Sequence, residues 1–130
     1  MKRWIVAMIV LGIAAVAFAA DPTIKQIMQK AHKPGTGLLT EIGASLKMDE
    51  PDWDEIQSHT KDLIELGKGL SKNDPPKGDK ASWEKYTKGY VDLVTALDTA
   101  AKKKDRKGAQ AIHTQINMAC KDCHQAHQKK

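Results

Sequence analysis

Both cysteines of the chain lie in one five-residue segment, Cys120-Lys-Asp-Cys123-His124. The spacing C-x-x-C-H is the attachment signature of haem c. Two thiols three residues apart lie on one helical turn, where each can add to a haem vinyl group and form a thioether. The next residue, His124, is then placed to bind the iron from the proximal side. The segment therefore predicts covalent haem c, one per chain, on Cys120 and Cys123, with His124 as the proximal iron ligand.

Two cysteines at this spacing have three other known uses: a redox dithiol, a disulfide and a zinc site. A thioredoxin-like dithiol needs a neighbouring βαβ unit, and the sequence shows no strand-like alternation. A disulfide across so short a loop stabilises little. Zinc needs four ligands, and His113 and His127 are available, although both are expected on the helix that carries the cysteines. Haem attachment is the favoured interpretation, with zinc or a redox dithiol as the alternative.

Residues 1–19 have the pattern of a secretory signal peptide: a basic start, an apolar run and an Ala-Phe-Ala cleavage site that ends at Ala19. An uncleaved anchor helix is the alternative, but the apolar run is short for a membrane span. Covalent haem attachment by the common bacterial pathways follows export, so the two features predict each other. We expect a periplasmic protein with a single domain at residues 20–130 and no membrane span after processing.

Helical periodicity runs through the rest of the chain and predicts an all-α fold, an antiparallel up-down-up-down four-helix bundle. The apolar stripes that define the four helices span Ile24–Leu46, Trp53–Leu70, Trp83–Leu97 and Ala109–Cys123.

Local signals refine the helix boundaries. Pro34-Gly35 should kink or interrupt the first helix near its middle. Asp52 is a predicted N-cap of the second helix, with Glu55 as its capping-box partner. The third helix is expected to open near Ala81, and a charged connector from Lys102 to Gly108 should precede the fourth.

The predicted topology brings particular side chains to the haem end of the bundle. The start of the first helix and the end of the fourth lie at the same end, so Met28 should share a level with His124. His32 lies one turn further along, about 6 Å away. Trp83 and Tyr86 of the third helix fall at this level and are candidates for packing against the haem.

The chain resembles the class II cytochromes c, which comprise the cytochrome c′ family and its methionine-ligated low-spin relatives. The resemblance rests on the C-x-x-C-H segment near the C-terminus, the preceding Ala119, the four helices, the segment Ile27-Met28-Gln29-Lys30 and Trp83. It implies that Met28 is the distal iron ligand, as in six-coordinate electron carriers. Relatives with an apolar residue at that position bind nitric oxide or carbon monoxide. His32 is the alternative distal ligand, which would give bis-His ligation.

These observations favour a non-enzymatic electron carrier with a low-spin haem. A module that binds nitric oxide or carbon monoxide is the alternative, and a peroxidase-like enzyme, with His32 as its only distal acid–base group, ranks below both. The formal net charge is +5 before processing and falls to +3 afterwards. Lysines outnumber acidic residues at the haem end, so redox partners should dock an acidic surface at the haem edge. Nucleic-acid binding is not expected, and the resemblance allows a monomer or a homodimer.

Overall fold

A computed structural model describes residues 21–130 of the chain. Within this range the fold is all-helical, with five α-helices and no β-strand. The helices are α1 (Ile24–His32), α2 (Leu38–Leu46), α3 (Trp53–Ser71), α4 (Lys80–Lys102) and α5 (Arg106–His127). The predicted all-α class is confirmed, and the predicted signal peptide lies outside the described residues.

The predicted interruption of the first helix is confirmed, and it accounts for the fifth helix. α1 ends at His32 because a proline disfavours helical backbone in the residue before it, and Lys33 has φ −58° and ψ 128°. Gly35 has φ +82°, and the Gly37 amide donates to the Lys33 carbonyl at 2.8 Å. A Cβ on Gly37 would lie 2.6 Å from the Lys33 nitrogen, so this turn accepts only glycine there.

The start of α3 confirms one capping prediction and corrects another. Asp52 is the N-cap, and its carboxylate accepts the Glu55 amide at 3.0 Å. The expected capping box is wrong, because the Asp52 amide donates to the Ser45 hydroxyl at 3.1 Å instead of to the side chain of Glu55. A serine from α2 therefore satisfies the donor that a capping box would have satisfied.

The predicted start of α4 is confirmed and that of α5 is corrected. α4 begins at Lys80, next to the expected position near Ala81. α5 begins at Arg106, so the expected connector, which ran to Gly108, is too long. The reason is an N-cap at Asp105, whose carboxylate accepts the Gly108 amide at 3.0 Å. Gly108 therefore lies in the first turn of α5 and does not interrupt it.

The five helices share one apolar core. α3 packs on α4, α4 packs on α5, and α1 and α2 both pack on α3. α2 also reaches α5, whereas the described backbone of α1 does not come close to α5. The largest fully buried apolar side chains are Ile27, Ile42, Leu46, Ile56, Leu63, Leu97, Ile116 and Val94. Among residues 21–130, no helix is both long and apolar enough to cross a membrane.

A buried polar link joins α3 to α4. The Thr60 hydroxyl donates to the Asp98 carboxylate at 2.6 Å, and both side chains are buried. Lys102, one turn along α4, lies 2.9 Å from the other carboxylate oxygen. Burial alone would raise the pKa of Asp98, but the hydrogen bonds from Thr60 and Lys102 outweigh it and hold that pKa below its ordinary value.

Hydrogen bonds also join loops to helix starts that are distant in sequence. The Asn73 side chain, after α3, donates to the Pro22 carbonyl just before α1 at 3.1 Å. The Arg106 guanidinium, at the start of α5, donates to the carbonyl oxygens of Met48 and Asp49 between α2 and α3. The α3–α4 loop therefore lies beside the start of α1, and the α2–α3 loop lies beside the start of α5.

Candidate cofactor site

The C-x-x-C-H segment lies in the last two turns of α5, where the helix is continuous to His127. Cys120 and Cys123 are half-buried free thiols, and His124 is exposed beside them. Burial, together with the neighbouring Cys123 thiol, raises the pKa of Cys120 to about 11. Burial also raises the pKa of Cys123. Both groups are therefore protonated at neutral pH, unlike the low-pKa thiol of a reactive redox dithiol.

A small, partly open space, here called the inner cavity, lies between this part of α5 and the helices opposite. It measures about 30 Å³. It is lined by Met28, His32, Leu70, Tyr86, Thr87, Tyr90, Ala119, Cys120, Cys123 and His124. The fold therefore brings both thiols and the predicted proximal ligand together with both candidate distal ligands and Tyr86.

A larger opening, here called the α2–α5 groove, begins at the same place. It measures about 840 Å³, within the range of small-molecule and cofactor sites. It is lined by His32, Leu39, Thr40, Gly43, Ala44, Leu46, Lys47, Gln110, His113, Thr114, Asn117, Cys120 and His124. His32, Cys120 and His124 line both spaces, so they lie where the groove meets the inner cavity.

The residues around the two spaces fit a covalently attached haem. Both thiols are free and line the inner cavity, and the Cys120 thiol also lies at the end of the cofactor-sized groove. An exposed imidazole follows them on the same helix, and a thioether and a second imidazole face the cavity from α1. The backbone of α1 does not come close to that of α5, and the space between the side chains of these two helices is the inner cavity of about 30 Å³.

His32 is already engaged by a second side chain. Its Nε2 lies 2.9 Å from the Tyr90 hydroxyl, and the two rings meet edge to face with centroids 5.5 Å apart. Burial lowers the pKa of His32 to about 4, with contributions from the nearby imidazoles of His124 and His113. Burial, followed by the nearby Cys120 thiol, raises the pKa of Tyr90. His32 is therefore a neutral imidazole held by a neutral tyrosine at neutral pH.

Trp83 and His127 pack against each other beside the inner cavity, and neither lines it. Trp83 is buried, its Nε1 donates to the Asn73 carbonyl at 2.8 Å, and it is not among the residues that line the inner cavity. His127 is buried against Trp83 and Tyr86, with its ring centroid 5.4 Å from that of Trp83 and 5.6 Å from that of Tyr86.

His127 anchors the loop before α4 to the end of α5. Its Nδ1 donates to the Lys77 carbonyl at 2.8 Å, and its Nε2 lies 3.0 Å from the Ser82 hydroxyl. Since a carbonyl can only accept, Nδ1 carries the proton and Nε2 accepts from Ser82 in the neutral ring. The spacing from Cys123, four residues along the helix, was the available signal for this buried position.

The structure does not gather the zinc ligands that the sequence left open. His113 donates through Nε2 to the Leu39 carbonyl at 2.8 Å and packs over Gly43, and both nitrogens of His127 are engaged. In the described part of the chain, one group of three metal-binding side chains has its ligand atoms within 4.8 Å of one another. That group is Glu41, Glu55 and His59, which lies between α2 and α3 and does not include either cysteine; the His59 Nε2 lies 3.4 Å from a Glu41 carboxylate oxygen and 4.0 Å from one of Glu55.

The outer side of His124 is lined by basic and neutral side chains. A second surface depression of about 740 Å³ is lined by Lys77, Asn117, Cys120, Lys121, His124, Gln125, Gln128, Lys129 and Lys130. We call its four lysines the lysine rim: Lys77, Lys121, Lys129 and Lys130. No acidic residue lines this depression, so its lining carries positive charge, although the exposed Asp122 of the C-x-x-C-H segment lies outside it.

Compared with known proteins, the chain matches no protein-family model, no curated protein and no solved structure.

Proposed function

We propose that this protein is an exported c-type cytochrome that carries single electrons. One observation supports this most strongly: both free thiols of a C-x-x-C-H segment line the inner cavity with candidate ligands from a second helix, and Cys120 and His124 of that segment also line the adjoining cofactor-sized groove. When bound, haem c supplies a one-electron ferric/ferrous couple. No substrate chemistry is required of the protein, so we propose a carrier and not an enzyme.

Six side chains would hold or surround the haem. Cys120 and Cys123 fix the haem by thioether bonds, and His124 holds the iron on the proximal side. Met28 is the proposed distal ligand, with His32 as the alternative; a thioether ligand favours the reduced iron and raises the potential. The half-buried ring of Tyr86 packs near the bound group and excludes water from it.

We also propose that the helices form an antiparallel up-down-up-down four-helix bundle, with α1 and α2 together as its first member. The bonds between the α3–α4 loop and the start of α1, and between the α2–α3 loop and the start of α5, support this order. Short connections between successive helices favour the same topology. The haem would then lie near the C-terminal end of α5.

The proposed location is the periplasm, after cleavage behind Ala19. Its support is the sequence of residues 1–19 and the dependence of covalent haem attachment on export. The lysine rim beside His124 supports docking of an acidic surface on the redox partner.

Binding of nitric oxide or carbon monoxide is the second candidate, and one contact favours keeping it. The imidazole of α1, that of His32, is held by Tyr90. If Met28 does not bind the iron, no free imidazole on α1 is left to close the distal side. The open α2–α5 groove would then admit a diatomic ligand.

The proposal is tested with the full chain, leader included, produced in a bacterium that exports and matures c-type cytochromes. The purified protein should begin at Ala20 or close to it and carry one covalent haem. Cys120→Ala and Cys123→Ala should each lose one thioether. Met118→Ala is the matched control on the same helix, since Met118 is 63% exposed, and it should keep both. A retained leader or a protein without haem would contradict the proposal.

A further inference from the structure

The inner cavity offers two candidate distal ligands, and the contacts around them differ. His32 is the last residue of α1 and its Nε2 is bound to the Tyr90 hydroxyl at 2.9 Å. Met28 lies one turn earlier on the same helix, is half-buried, and packs against the apolar core. Both residues line the cavity with Cys120, Cys123 and His124, so position alone does not choose between them.

Tyr90 holds its own position independently of His32. It lies in the middle of α4, is 7% exposed, and belongs to the buried core. Its ring also contacts α3, since a Cβ on Gly67 would lie 2.9 Å from two of its ring carbons. The hydroxyl is therefore presented to His32 from a fixed point on the opposite helix.

We propose that Tyr90 is a positioning residue that selects Met28 as the distal ligand by holding His32 away from the iron. This inference rests on the proposed function, because it concerns which side chain binds the haem iron. A histidine that turned its Nε2 to the iron would leave the buried Tyr90 hydroxyl without this partner, and unmade hydrogen bonds of buried groups are costly. Met28 binds without breaking a hydrogen bond, since a thioether makes only weak ones.

The turn after His32 reinforces the selection. Gly37 and Lys33 close it with a hydrogen bond of 2.8 Å, and no side chain fits at Gly37. The end of α1 therefore cannot easily unwind to carry the His32 ring past Tyr90. Removing the hydroxyl alone, with the ring kept, is the smallest change that would release His32.

The test compares wild type, Tyr90→Phe, His32→Ala and the double variant Tyr90→Phe/His32→Ala, each as haem-loaded full chain. The readout is the ferric near-infrared sulfur-to-iron charge-transfer band, together with the shifted methyl resonance of a bound methionine in the reduced state. Wild type and His32→Ala should show both signals. Tyr90→Phe should lower the methionine-bound fraction relative to the histidine-bound fraction by roughly tenfold or more, and the double variant should restore it.

The outcomes separate this inference from the proposed function. If haem is attached but Tyr90→Phe keeps the full methionine signal, ligand selection by Tyr90 is wrong and the cytochrome proposal stands. Ligand selection by Tyr90 is also wrong, and the cytochrome proposal also stands, if the wild-type iron is bound by His32 and His124, with Tyr90 orienting the His32 ring. A chain that carries no haem after export contradicts both. Thermal unfolding of Tyr90→Phe identifies a folding defect, and restoration in the double variant shows that the folded cavity is intact.

Discussion

The two walls of the α2–α5 groove are built differently. The α5 wall is one helix of 22 residues that packs along α4. The opposite wall consists of two nine-residue helices, α1 and α2, joined by a glycine turn. Helices this short are marginal on their own, so this wall depends on its tertiary contacts. The backbone of α1 comes close only to α2 and α3, and its His32 side chain reaches Tyr90 of α4. The wall that carries the thiols is therefore the firmer one, and the wall that offers the distal ligands is the more adjustable.

The largest effect expected from this contrast comes from truncating one core residue in each wall. Ile42 in α2 and Ile116 in α5 are both fully buried, so Ile42→Ala and Ile116→Ala should each lower the free energy of unfolding by about 2–5 kcal/mol. Hydrogen exchange should separate them. Ile42→Ala should speed exchange in α1 and α2 more than in α4 and α5, whereas Ile116→Ala should affect all five helices. Uniform acceleration by Ile42→Ala would contradict the contrast.

A smaller effect is expected at the turn between α1 and α2. Gly37→Ala places a Cβ 2.6 Å from the Lys33 nitrogen and 2.9 Å from the Ala31 carbonyl oxygen. Both are backbone atoms that cannot rotate away, so we expect the free energy of unfolding, measured in urea, to fall by about 1–3 kcal/mol. Gly89→Ala in α4 is the control: a Cβ there meets nothing within 4 Å, and it should stabilise by roughly 0.5–1 kcal/mol. Equal effects at the two glycines would refute the account of the turn.

The link between α3 and α4 predicts a pH-dependent difference. The folded-state pKa of Asp98 lies below its ordinary value of 3.8, so its contribution is present above that value and is lost as pH falls through the folded-state pKa. Asp98→Asn should lower the free energy of unfolding by about 1–2 kcal/mol at neutral pH. The difference in this free energy between variant and wild type should shrink in acid. Unfolding curves at several pH values measure it, and a difference that grows in acid would show that the sign is wrong.

The smallest effect concerns partner docking. Lys129→Glu/Lys130→Glu reverses two charges of the lysine rim and should slow electron transfer with an acidic redox protein by about threefold to tenfold at low salt. The matched control is Lys103→Glu/Lys107→Glu, at the end of α4 and the start of α5, outside the rim. Stopped-flow kinetics at two salt concentrations measure both, and an equal slowing in the control would mean that net charge alone matters.

Much of this architecture was predictable because its signals are local. The Pro34-Gly35 break and the Asp52 cap each depend on a few neighbouring residues. The co-location of Met28, His32 and Tyr86 with the C-x-x-C-H segment followed from placing short-looped helices side by side. Periodicity was enough for this last expectation, since it fixes which side chains of a helix face the core.

The missed contacts join residues that are distant in the chain. The His32–Tyr90 bond spans 58 positions and the His127–Lys77 bond spans 50. A histidine on a half-buried helix face gives no local sign of which partner it will meet. The replacement of the expected capping box by Ser45 has the same origin, because it depends on how α2 packs against the start of α3.

The central claim is tested most directly by the intact mass and ferric spectrum of the exported, full-length product. The account predicts a chain that starts near Ala20, carries one haem through both Cys120 and Cys123, and is low spin with methionine as the sixth ligand. A mature protein with two unmodified thiols, or one that carries only zinc or a disulfide, would contradict it.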